Sequence, residues 1–166
     1  MIFLKETMTF IPSSSFDTQG SPMMQPKLVF WSKFIQLAAV LMLGLSAILL
    51  LAPILGESLF NMVYFYQFEY PSEIDETAIS YIRFANGVLG AVMAGWMVGI
   101  IMIARGPLLK GDEYAWNTIA VPLALWFFLD SAFSISHGSW GNVILNVSTA
   151  LIFSVPLIAI RPYLNR

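Results

Sequence analysis

The sequence predicts an all-α, polytopic membrane protein: a bundle of four transmembrane helices with a short interfacial segment in the first outer loop. Two observations predict this class. Hydrophobic residues make up 58% of the 166 residues and charged residues only 11%, whereas about 25% of the residues of a soluble domain are charged. The apolar residues are also gathered into long stretches, each able to cross a hydrocarbon core about 30 Å thick.

The apolar stretches set the predicted spans, which cover residues 34–55, 84–104, 116–135 and 143–160. The first span contains no charge, and Trp31 and Lys33 before it are typical interfacial anchors. Pro53 and Gly56 mark its far end, because proline and glycine commonly end helices. The four spans together predict a transmembrane domain over residues 31–166.

The remaining segments are predicted to lie outside the hydrocarbon. Residues 1–30 carry prolines together with serines and other polar residues, and this composition favours an irregular N-terminal segment. Residues 57–81 form the longest connection, and their first half is rich in aromatic side chains. We expect that half to lie in the interface as a short helix or folded loop. Glu57 and Glu69 bracket a run that is too short to span the membrane.

The charges predict an orientation. With four spans both termini lie on one side, and that side holds seven basic residues: Lys5, Lys27, Lys33, Arg105, Lys110, Arg161 and Arg166. The other side holds Arg83 and the acidic residues of the aromatic loop. The positive-inside rule therefore places both termini in the cytoplasm, or on the equivalent stromal or matrix side.

Two polar stripes flank the turn 137–142 between the third and fourth spans. Asp130, Ser134 and His137 follow helical spacing on one side of the turn, and Asn142, Asn146 and Thr149 follow it on the other. Folding the hairpin about this turn predicts three facing pairs: Asp130 with Thr149, Ser134 with Asn146, and His137 with Asn142. The two stripes should therefore meet inside the bundle.

Asp130 needs either a partner or a proton, because an unpaired, ionised carboxylate at this depth costs about 2.5–3.5 kcal/mol on insertion scales. Arg83 is the basic residue expected on the same side, so we predict an Arg83–Asp130 pair extended through Asn86 and the two stripes. One interpretation is a structural network that holds the helices in register. A second is a ligand pocket or proton-coupled site. In a third, Asp130 faces a partner subunit.

A ladder of small residues runs along the second span at every fourth position: Gly87, Ala91, Gly95 and Gly99. Small residues at this spacing let another helix approach closely. We expect the ladder to pack against a neighbouring helix of the same chain. The alternative is contact with another subunit.

Composition excludes several kinds of site. The chain has no cysteine and one histidine, so thiolate and multi-histidine metal centres are excluded. The net charge of −2 argues against a nucleic-acid partner, and no enzyme motif is present. His137 has three interpretations: an interfacial hydrogen-bonding residue, a pocket residue that titrates near neutral pH, or an axial ligand of haem or chlorophyll.

The run Arg83-Phe-Ala-Asn-Gly-Val-Leu-Gly at the start of the second span, with Asp130 late in the third, resembles the DoxX-like small four-helix membrane proteins. The resemblance covers residues 34–160. It implies a four-helix bundle with a polar interior, and it implies little about activity.

Small size and the absence of catalytic motifs favour a non-enzymatic accessory or structural subunit of a larger membrane complex. Its expected partners are lipids and other membrane subunits. The alternative function is binding or transport of a small molecule, a lipid or protons in a polar pocket around Arg83, Asp130 and His137.

Overall fold

The computed structural model describes residues 25–165, and this part of the chain is helical. Its five α-helices are α1 Pro26–Leu51, α2 Pro53–Phe65, α3 Glu76–Arg105, α4 Glu113–Ser136 and α5 Trp140–Ile160. Short 3₁₀ turns follow α3 at Pro107–Lys110 and α5 at Arg161–Tyr163. Four of the helices are long and apolar enough to cross a membrane. The protein is therefore a multi-pass integral membrane protein, and the predicted all-α class is confirmed.

The first span differs from its predicted bounds of 34–55. Helix α1 begins at Pro26, because proline suits the first turn of a helix, where its missing N–H costs nothing. It ends at Leu51, since Ala52 precedes Pro53 and leaves the helical region with φ −127° and ψ 64°. The predicted irregular segment 1–30 lies mainly outside the described residues, although residues 26–30 already belong to α1.

Helix α1 is the central element of the bundle. It packs along most of α3 and also contacts α5, whereas α4 packs mainly on α5. The apolar core lies toward the end of the bundle that holds Pro26, the α3–α4 connection and Ile160, which we call the terminal end. There the Gln36 side chain donates to the Ala104 carbonyl at 3.3 Å, linking α1 to α3.

Helix α2 lies at the opposite end, which we call the polar end. Its 13 residues extend about 20 Å, too short to cross the hydrocarbon core. Glu57 and Asn61, one turn apart, are buried against the protein, whereas Ile54 is 74% exposed on the outer side. This polarity is the reverse of that of a helix on a soluble protein, and it suits a helix whose outer side contacts apolar lipid.

Two glycines allow the closest helix contacts. A Cβ at Gly90 on α3 would lie 2.8 Å from the Ser46 carbonyl oxygen and 2.9 Å from the Leu49 Cβ on α1. A Cβ at Gly141, in the first turn of α5, would overlap the backbone of Val63 on α2. The absence of a side chain at these two positions therefore determines how closely α3 approaches α1 and how closely α5 approaches α2.

Gly141→Ala should lower the melting temperature of the purified protein, because the methyl group would push α2 away from α5. Gly44→Ala is the matched control, since Gly44 is also helical and a Cβ there meets no atom within 4 Å. The control should leave stability unchanged or raise it by roughly 0.5–1 kcal/mol, the helix preference of alanine over glycine. Equal melting temperatures for the two variants would contradict the contact between α2 and α5.

Candidate functional site

Arg83 pairs with Glu57, not with Asp130 as predicted. The Arg83 Nε donates to Glu57 Oε1, and Nη2 donates to Oε2 at 3.1 Å, so the pair is bidentate. The Glu57 side chain is 7% exposed and that of Arg83 is 45% exposed. The difference arises from α2, whose polar side faces the bundle and brings the Glu57 carboxylate to Arg83. The sequence pattern instead predicts that Glu57 is a charged residue of the loop 57–81.

Tyr70, in the connection between α2 and α3, belongs to the surroundings of this pair. Its hydroxyl is buried. Burial raises the pKa of the Tyr70 phenol, and the nearby Glu57 carboxylate raises it further, while Arg83 acts in the opposite direction. Asn61 holds the same connection by donating to the Phe68 carbonyl at 3.3 Å.

Asn86, which was predicted to belong to the polar cluster, is partly buried, and its amide nitrogen has no partner among the described residues.

Asp130 bonds to a second group of polar residues, between α4 and α5. Ser134 Oγ donates to Asp130 Oδ1 at 3.2 Å, and Asn142 Nδ2 lies 3.0 Å from the same oxygen and 2.7 Å from Ser134 Oγ. One turn deeper, the buried Asn146 donates to Ser131 Oγ at 3.5 Å. The polar stripes of the two helices therefore meet, as expected.

The pairing register differs from the prediction, however. Asn142 faces Ser134 and Asp130 in place of His137, and Asn146 faces Ser131 in place of Ser134. Helix α4 continues to Ser136 and α5 begins at Trp140, so the turn is three residues long with Gly138 at φ 70°. The predicted turn, 137–142, is longer than the observed one, and this difference shifts the facing pairs. The polar residue that it missed is Ser131.

His137 stays apart from both groups. Its side chain is exposed, its Nδ1 lies 2.9 Å from the Phe133 carbonyl oxygen and 3.0 Å from Ser136 Oγ, and its ring lies 4.2 Å from the Phe133 ring. All these contacts are with its own helix. Ligation of haem or chlorophyll by His137 remains a prediction.

The glycine ladder does not pack within the chain as expected. Within residues 25–165, a Cβ at Gly87, Gly95 or Gly99 would meet no atom within 4 Å, and Ala91 is exposed. The α3 residue that contacts α1 closely is Gly90, which lies outside the ladder. The four-residue spacing indicates a face suited to close packing, but it cannot identify which helix occupies that face.

Both polar groups consist of side chains that bond from one helix to another. Glu57 and Arg83 join α2 to α3, and the Asp130 group joins α4 to α5. Among the described residues, no cluster of three histidine, aspartate or glutamate side chains could hold a metal ion. The observed contacts therefore favour the structural interpretation of the polar cluster.

Comparison of the chain with protein-family models, with curated proteins and with solved structures finds no match. The resemblance to DoxX-like proteins therefore remains a prediction that depends on the motif beginning at Arg83 and on Asp130.

Arg83→Gln should lower the melting temperature in detergent more than Glu57→Gln does. Loss of the arginine leaves a buried carboxylate without its counter-charge, whereas loss of the carboxylate leaves an arginine that already reaches the surface. The effects of Arg83→Gln and Asp130→Asn should add, since the two side chains have no common partner. A strong coupling between Arg83 and Asp130, measured by a double-mutant cycle, would contradict the observed pairing.

Stability should fall at alkaline pH through Tyr70. A raised pKa in the folded state stabilises the fold fully below the unfolded value of 10.0, and this contribution is lost as the pH rises through the folded value. Melting temperatures measured from about pH 8 to about pH 11 should therefore fall more steeply for the wild type than for Tyr70→Phe. Tyr66→Phe, at an exposed tyrosine of the same connection, should behave as the wild type. Identical profiles for Tyr70→Phe and wild type would refute the assignment.

Proposed function

We propose that the protein is a non-enzymatic subunit of a larger membrane complex and that the glycine ladder on α3 docks a transmembrane helix of a partner subunit. The observation that carries this proposal is the open space above Gly87, Gly95 and Gly99. Small residues in this pattern permit close approach of two helices in a membrane, where packing replaces the hydrophobic effect as the driving force.

The position of the ladder on α3 supports docking from outside the chain. The buried residues of α3 are Gly90, Met97, Ile100 and Ala104. At 3.6 residues per turn, the centre of the ladder lies about 150° around the helix from the centre of this buried set. The ladder itself extends about 18 Å, from Gly87 to Gly99. The chain therefore presents a long face of small residues on the side of α3 that is turned away from its own core.

The alternative function needs Arg83, Asp130 and His137 in one pocket. Each of the three has a different set of partners: Glu57 for Arg83, Ser134 and Asn142 for Asp130, and Phe133 for His137. These contacts give less support to a pocket that binds a small molecule or transfers protons than to a subunit with structural polar joints.

The orientation belongs to the same proposal. Seven of the eight lysines and arginines fall on the side of the chain termini, and five acidic residues fall in the connection between α1 and α3 and at the start of α3. On the positive-inside rule both termini face the cytoplasm, or the stromal or matrix side, and the polar end faces outward.

Gly95→Leu should separate the protein from its complex without unfolding it. Leucine blocks the approach of a second helix, yet the space above Gly95 within the chain is open. The measurement is migration on a native gel after extraction in mild detergent, with mass spectrometry of co-migrating proteins. The wild type should migrate as a large assembly, and Gly95→Leu should migrate at the size of the free protein with an unchanged melting temperature.

Two variants serve as controls. Gly44→Leu places the same side chain at an open position on α1 and should leave the assembly intact. Gly90→Leu should reduce the folded yield, because its side chain would overlap the α1 backbone at Ser46. A wild type that migrates alone in mild detergent, or a Gly95→Leu variant that keeps its partners, would show that the ladder contacts lipid.

A further inference from the structure

A groove of about 380 Å³ runs between α4 and α5, within the range of about 300–1,000 Å³ typical of ligand sites. Leu123 and Leu157 form its buried floor, and the exposed side chains of Phe128 and Ile158 stand along its sides. In the part of the chain that the structure describes, no ionisable side chain lines the groove. The groove shares no lining residue with the two polar groups or with the ladder on α3.

The polar atoms of the lining side chains are already bonded within the protein. Trp116 Nε1 donates to the Leu157 carbonyl at 2.7 Å, and Ser154 Oγ donates to the Ala150 carbonyl. The lining therefore offers an occupant dispersion contacts and almost no hydrogen bonds. A hydrocarbon chain matches these contacts, whereas a polar ligand would lose its hydration without replacement.

The length of the groove matches one leaflet of a bilayer. Its α4 lining extends from Trp116 to Phe128, about 18 Å along the helix axis. Half of a hydrocarbon core is about 15 Å thick. An acyl chain anchored at the membrane surface near Trp116 would therefore lie along the groove and end near the bilayer midplane.

A cation stands at the surface end of the groove. The Arg161 guanidinium lies 5.8 Å from the centre of the Trp116 ring, and Arg161 is exposed one turn beyond Leu157. Among the described residues, the one salt bridge joins Arg83 to Glu57, so no carboxylate of that part of the chain lies within salt-bridge distance of Arg161. Arginine and tryptophan together are typical of the level of lipid headgroups.

We propose that this groove binds one acyl chain of an anionic phospholipid from the leaflet at the terminal end, with the lipid phosphate at Arg161. The apolar lining accommodates the chain, and the guanidinium donates hydrogen bonds to phosphate oxygens. The charge of Arg161 favours a headgroup of net negative charge over a zwitterionic one, whose choline would place a second cation beside it. A bound lipid would also cover the exposed seam between α4 and α5. The site does not depend on the proposed docking of α3, because the two surfaces share no residue.

The test uses the full-length protein, delipidated in detergent and offered phosphatidylglycerol or phosphatidylcholine with the same acyl chains. Native mass spectrometry counts the retained lipids. The wild type should retain one phosphatidylglycerol in preference to phosphatidylcholine. Arg161→Gln should weaken phosphatidylglycerol about fivefold, the attraction of one basic side chain to an anionic lipid surface. It should weaken phosphatidylcholine less, because the choline of that lipid offsets the charge of its phosphate.

Matched variants separate the groove from general charge and hydrophobicity. Ala124→Phe fills the groove and should lower retention of both lipids, whereas Val121→Phe adds the same ring at an exposed α4 position outside the groove and should not. Arg105→Gln removes an exposed arginine of α3, whereas the cation–π contact observed at Trp116 is that of Arg161, so the Arg105 variant should leave retention unchanged.

Four results would overturn the proposal. Equal retention of the two lipids by the wild type would show that the site does not select an anionic headgroup. An equal effect of Arg105→Gln and Arg161→Gln would indicate diffuse surface attraction. Full retention by Ala124→Phe would show that the chain lies elsewhere. A free fatty acid that displaces phosphatidylglycerol at equal concentration would likewise contradict the assignment to a phospholipid. Arg161 is exposed, so Arg161→Gln should not disturb the fold, and its effect on lipid retention can be measured on a folded protein.

Discussion

The hydrocarbon core of the membrane supplies no water, so a polar side chain within it is costly unless it finds a partner inside the protein. The rest of this structure depends on that constraint. Glu57 bonds to Arg83 at the polar end, and Asp130, Ser134 and Asn142 bond to one another between α4 and α5. The apolar core fills the terminal end, where Ile35, Ala104 and other buried residues need no such partners. Apolar packing therefore dominates at the terminal end, and hydrogen bonds and an ion pair dominate at the polar end.

Helix α2 follows from the same constraint. The chain leaves α1 at Ala52, ahead of Pro53, and returns toward the bundle with Glu57 on its inner side and apolar residues on its outer side. Gly141 then accommodates α2 against α5 without a side chain between them. The bidentate pair between Glu57 and Arg83 and this close contact together close the polar end. The space above the α3 ladder and the groove between α4 and α5 are left open to lipid or to a partner.

The membrane class and the existence of four spans could be predicted from the sequence, because span length and apolar content are set by the thickness of the bilayer. The meeting of the α4 and α5 polar stripes could also be predicted, since helical spacing places their residues on single faces. The partner of Arg83 could not, because it depends on the break at Ala52 and on the direction in which α2 returns. The register of Asn142 depends on a turn of three residues, whereas the sequence pattern predicts a longer turn over residues 137–142.

The central claim is that Arg83 is held by Glu57 and that this pair attaches α2 to α3. A charge exchange tests it most directly, with the melting temperature in detergent as the measurement. Arg83→Glu alone places two carboxylates together and should be strongly destabilised, and Glu57→Arg alone should place two cations together. Combining the two changes should recover much of the lost stability. A combined variant as unstable as the sum of the two single variants, or recovery of Arg83→Glu by Asp130→Arg instead, would contradict the account.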